Sequence, residues 1–92
     1  MVIISPKFVL GQIVATPNAL TAIHTDEIHK ALVRHACGDW GELDAQDLET
    51  NERALKRGGR LFSQYQSSQN VTFWIITECD RSATTVLLPE DY

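Results

Sequence analysis

The longest apolar run, residues 71–78 (VTFWIITE), is β-branched and aromatic rather than leucine-rich. Val71, Phe73, Ile75 and Thr77 alternate to one side of an extended chain, Trp74 and Ile76 to the other. A strand that is apolar on both faces belongs inside a sheet, so this segment is the expected centre of the fold. A polar SSQN break separates it from residues 60–66 (RLFSQYQ), the pattern of a hairpin. Residues 79–82 form the next turn, residues 83–88 (ATTVLL) the last strand, and Pro89 ends it. Residues 8–15 (FVLGQIVA) predict a first strand near the start of the chain, with Gly11 marking a bulge or a close approach.

Between these strands the period changes. Thr16 followed by Pro17 predicts a short helix over residues 17–23, because the hydroxyl can cap free amides and proline at the first position loses no bond. Thr25, ahead of Asp26 and Glu27, predicts the cap of a second helix. Ile28, Ala31, Leu32 and Ala36 recur on its inner face, and Gly38 ends it. After the glycine-flanked loop carrying Asp39 and Trp40, Asp44 predicts the start of a third helix, running to about Arg57 and stopped by Gly58-Gly59. Its stripe of Leu48, Asn51 and Leu55 is thin, which suits a peripheral position. The expectation is an α+β domain over residues 1–92: a strand, two to three helices, then a three-strand antiparallel meander. The sheet is four-stranded and mainly antiparallel, with helices on one face.

Ninety-two residues, 43% of them hydrophobic, suffice for one core without staples. The net charge of −4 disfavours nucleic acid as a partner, since phosphate contact depends on Lys and Arg. Charge is nonetheless segregated. Six acids lie between positions 39 and 52, then four bases between 53 and 60, an order that complements the dipole of the third helix. The acids lack the alternating ligands of a calcium loop. His24, His29 and His35 lie five and six apart, so no pair shares a helical face and no metal is expected; they read as solvent-facing. Cys37 and Cys79 read as reduced thiols, and no cofactor motif is present. The apolar N-terminus MVII, stopped by Ser5 and Pro6, is too short for a signal peptide or a membrane span, which points to a cytoplasmic protein.

Two tryptophans remain. Trp40 is either a lid on the core or, with Asp39, an interaction site. Trp74 and Ile76 face away from the helices, with Leu61 or Phe62 and Leu87 as neighbours. Such a patch calls for a protein partner, a ligand, a tail of the chain itself, or a second copy in a homodimer.

The strings GQIVATPNAL, HACGDWGELD, NERALKRGGRL and FWIITECDRSATTVLLPEDY together resemble a family of small, uncharacterised plasmid-related bacterial proteins. The resemblance spans residues 11–92 apart from 22–30 and 67–70. It implies an origin on plasmids or other mobile elements, and it carries no activity and no catalytic residue. The order of a strand, two helices and a meander also resembles the messenger-RNA-cleaving toxins of bacterial toxin–antitoxin pairs. That likeness implies Arg60, Tyr65 and Arg81 as the positions to handle phosphate and protons, although those toxins are basic and this chain is acidic. The expected function is a non-enzymatic binding or accessory protein of a mobile element, with a toxin-type ribonuclease and an anti-restriction modulator of host defence as alternatives.

Overall fold

The computed structural model describes residues 5–92; the N-terminal apolar run falls mainly on residues 1–4, which lie outside the described residues. The elements follow as β1 (Gln12–Ala15), α1 (Pro17–Ala22), α2 (Thr25–Ala36), α3 (Ala45–Arg57), β2 (Leu61–Gln66), β3 (Thr72–Thr77), β4 (Ala83–Leu87) and a closing 3-10 turn, Pro89–Asp91. This is the α+β architecture the patterning predicts. The sheet order is β1-β4-β3-β2, with β1 parallel to β4 and the other two pairs antiparallel. The strand carrying Trp74 is thus interior, flanked on both sides.

Local chemistry sets most boundaries. The Thr16 hydroxyl accepts from the Ala19 amide at 3.1 Å with Pro17 in the first turn, and the Asp44 carboxylate accepts from Asp47 at 2.8 Å. The second helix is capped one residue earlier than expected: His24 Nδ1 accepts from the Asp26 amide, and Thr25 is the first helical residue. The first strand is four residues rather than eight. Gly11 lies at φ +65°, and a Cβ there would collide with the backbone carbonyls of Arg81 and Ser82, so the chain bends and enters the sheet only at Gln12. The last residues are tied back to the fold. The Asp91 carboxylate accepts from Thr16 Oγ1, Asn18 Nδ2 and the Leu88 amide, tying the closing turn to the start of α1.

One face of the sheet carries the core. Tyr65, Phe73, Ile75 and Val86 meet Ala19, Ile23, Ile28, Ala31 and Leu32 from α1 and α2. Removing each large apolar side chain of this set from water stabilises the fold by about 1.5–3 kcal/mol. A second cluster joins Trp40, Ala54 and Leu61 with Phe8, Leu43 and Leu55, bringing α3 against β2. The outer edge of β2 is closed by a side chain. Asn51 of α3 donates to the Phe62 carbonyl at 2.5 Å and accepts from the Phe62 amide at 3.0 Å, as a neighbouring strand would. Two residues on, Gln64 exchanges backbone bonds with Trp40 and Glu42. This is why the stripe of α3 has a polar residue at its centre: Asn51 is buried in order to pair with a strand edge.

Candidate functional site

The most reactive-looking constellation lies inside the protein. His35 is on the inner face of α2, not in solvent, because its position continues the Ile28, Ala31 and Leu32 stripe. Phe8 and Trp40 approach its ring edge to face, at centroid distances of 5.3 and 5.5 Å. The hydrogen-bond chain through it has one consistent direction. Thr84 Oγ1 donates to the Leu10 carbonyl at 2.7 Å, so it accepts from Thr77 Oγ1 at 2.7 Å. Thr77, with its proton so directed, accepts from His35 Nε2 at 2.9 Å, which leaves Nδ1 to accept from the Ser63 hydroxyl at 2.5 Å. His35 is therefore neutral and protonated on Nε2. Burial, and secondarily the charge of Arg81, pushes its pKa down to about 4.

A serine beside a histidine oriented by a third hydroxyl has the form of a nucleophilic site. Here it cannot meet a substrate: Ser63, His35, Thr77 and Thr84 are each 0% exposed. The chain instead fixes α2 against β2, β3 and β4 at one register, since sliding any element by one residue would strand a buried polar group.

The positions implied by the toxin likeness are each engaged with other parts of the fold. Tyr65 is buried on the helix-facing side, where its hydroxyl donates to the Asp39 carbonyl at 2.6 Å and burial pushes its pKa up to about 12. Arg60 lies five residues away, about 16 Å along an extended chain, and donates to the Tyr92 hydroxyl at 2.8 Å. Arg81 sits at φ +62° and donates to the carbonyls of Gly59, Glu78, Cys79 and Ala54, holding the β3–β4 turn to the end of α3.

Of the residues considered for interaction, Trp40 is only 3% exposed, packed on Phe8 and donating to Glu52 at 2.7 Å, and so serves as a lid. Asp39 is exposed, but it is held by a two-pronged bond from Arg34 at 2.7 and 3.2 Å, which also lowers its pKa. Ile76 is 7% exposed and lies beneath other side chains. Trp74 is the member of the set that offers surface. It lies on the face away from the helices, with Phe62 edge-on at 5.1 Å and Tyr92 edge-on at 5.8 Å, and its indole N–H donates to Gln64 Oε1 at 3.1 Å. Arg60, Phe62, Trp74, Ile76 and Tyr92 enclose a cleft of about 240 Å³. Tyr92 is 73% exposed, so the pinned tail forms one wall of the cleft without sealing it. Sequence reasoning found Trp74 but not Tyr92, because the role of the tail depends on Asp91 reaching α1, a contact across 75 residues.

Cys37 and Cys79 are free thiols. Among the described residues no three His, Cys, Asp or Glu side chains gather as metal ligands, and no helix is long and apolar enough to cross a membrane. Compared with protein-family models, curated proteins and solved structures, the chain matches none.

Proposed function

We propose that this chain is a small non-enzymatic binding protein that holds a protein partner through the aromatic cleft on the open face of its sheet. The observation that carries the reading is the cleft itself: three aromatic side chains and a guanidinium, positioned by a C-terminal turn that three hydrogen bonds tie down. Aromatic and arginine side chains are the residue types that concentrate binding energy at protein interfaces. The cleft suits one apolar or aromatic side chain of the partner, with Arg60 at its rim paired to Glu78 at 3.5 Å and bonded to the Tyr92 hydroxyl. The resemblance to plasmid-related proteins supports an accessory role on a mobile element.

The ribonuclease alternative needs Arg60, Tyr65 and Arg81 free around one phosphate, whereas the buried Tyr65 gives its hydroxyl to Asp39 and Arg81 is held by four backbone carbonyls. The deciding experiment is affinity capture from a bacterial lysate with wild-type protein and Trp74→Ala side by side, followed by titration of the captured protein against both. Loss of binding by about 10–100-fold on truncating a central aromatic anchor is expected. Equal affinity of the two would refute the reading, and RNA cleavage by the purified chain would replace it.

A further inference from the structure

The two edges of the sheet are treated in opposite ways. The outer edge of β2 is closed by the Asn51 side chain and by the backbone of Trp40 and Glu42. The outer edge of β1 is not. Gln12 and Thr16 donate to Ser82 and Val86 of the neighbouring strand, so by alternation Ile13 and Ala15 turn their N–H and C=O groups outward. Among the described residues nothing bonds those groups. Two of the devices that usually blunt a free edge, charge and proline, are missing from it. There is no lysine and no proline within β1, and no charged side chain anywhere from Phe8 to Ile23. Ile13 is 52% exposed and Val14 is 43% exposed, on opposite faces of the strand. Beside Ile13 an apolar groove of about 420 Å³ runs between the N-terminal segment and α2, bordered by Val9 and Val33.

We infer that β1 is the interface for a second copy of this chain, the two β1 strands pairing antiparallel about a two-fold axis at Val14 to make one continuous eight-stranded sheet. Three observations favour a copy over another partner. The outward groups are self-complementary: with Val14 opposite Val14, Ile13 and Ala15 of each chain exchange four N–H···O=C bonds with Ala15 and Ile13 of the other. The strand is neutral, so self-pairing sets no like charges opposite each other at the junction, whereas a charged peptide would find no counter-charge there. An axis normal to the sheet also runs α2 antiparallel to its copy. The acidic first turns, Asp26 and Glu27 of each copy, then lie at opposite ends of the helix pair and do not meet. The Trp74 cleft faces solvent at a different part of the sheet and stays open in such a dimer.

Sedimentation velocity from micromolar to millimolar protein tests this. The expected result is a shift from 10.3 kDa to twice that mass. Ile13→Lys should weaken the dimer by more than about tenfold, because two like charges then meet near the axis. Trp74→Ala should leave dimerisation unchanged, which separates this proposal from the aromatic cleft. Amide exchange of the wild type supplies a readout that needs no variant: the Ile13 and Ala15 amides should gain protection as concentration rises. A monomer at every concentration overturns the inference, as does a dimer that survives Ile13→Lys with Ile13 and Ala15 still exchanging freely.

Discussion

The buried histidine makes stability depend on pH in a window where few other groups act. Unfolded, the His35 ring takes a proton at its ordinary value of about 6.5; folded, it resists protonation until about pH 4. The folded value is depressed, so its contribution is complete above the unfolded value and is lost as pH falls from there toward the folded one. Across the whole window a shift of that size corresponds to about 3 kcal/mol, of which about 2 kcal/mol is gone by pH 5. For a domain of this length that lowers the melting midpoint by about 10 °C. The structural cause is specific. A second ring proton would point at the Ser63 hydroxyl, which donates to that nitrogen in the neutral chain, and the added charge would lie in a fully buried site near Arg81.

Thermal unfolding followed by circular dichroism between pH 7 and pH 4.5, on wild type and His35→Gln, isolates the effect. The variant is expected to be less stable at neutral pH by about 1–3 kcal/mol, having lost part of the hydrogen-bond chain, and flat where the wild type falls. His24 and His29 are present in both proteins and cancel. Asp39 and Asp91, whose carboxyls are held low by Arg34 and by Asn18 and Thr16, act below the ordinary carboxylate value of about 4. Nitrogen NMR of the ring at pH 6 should show neutral imidazole with its proton on Nε2. An Nδ1–H tautomer, or a variant with the pH slope of the wild type, refutes the reasoning.

Asn51→Leu should cost about 2–4 kcal/mol in urea unfolding, because both the amide and the carbonyl of Phe62 lose their partner at a buried edge. Gly41→Ala and Gly58→Ala form a matched pair read by the same assay. Both sites have positive φ, but an added Cβ meets open space at Gly58 and collides with the Gln64 carbonyl at Gly41. Gly58→Ala should cost about 1–3 kcal/mol and Gly41→Ala clearly more. Asp91→Ala should free Tyr92 from Trp74, shifting the Trp74 fluorescence to the red while the buried Trp40 is unchanged; an unaltered spectrum would show that the turn is held by something other than Asp91.

Much of the architecture was legible because it rests on local rules. The alternation in residues 71–78 identified an interior strand, and the Thr16 and Asp44 caps fixed two helix starts. What escaped the sequence depends on contacts made far along the chain. His35 and Asn51 both sit at helix positions where a polar side chain ordinarily meets water. Each is buried because a partner lies 28 or 11 residues away: a serine hydroxyl for one, a strand edge for the other. Only the helical period gave a signal, since His35 falls seven residues after Ile28 and Asn51 three before Ala54, on stripes that face inward. Periodicity therefore carries more information than residue type: it places Asn51 on the inward stripe, and it would have placed His35 there too.

The same contrast decides where function can reside. The residues richest in chemistry are occupied, His35, Ser63 and Tyr65 inside the fold and Arg81 at a half-exposed turn, with hydrogen bonds directed at other parts of the chain. A polar chain that is fully satisfied and sealed confers register and has no atom left to offer a substrate. Two apolar surfaces face outward: Phe62, Trp74 and Tyr92 on the sheet face, Ile13 and Val14 on the free edge. Apolar surfaces of that kind act by excluding water and by matching shape. The two surfaces are also separable. Trp74 on β3 and Ile13 on β1 are divided by β4 and project from opposite faces of one sheet, so one surface can be filled without displacing the other. Single substitutions at Ile13 and Trp74 should accordingly act independently, self-association following the first and partner binding the second.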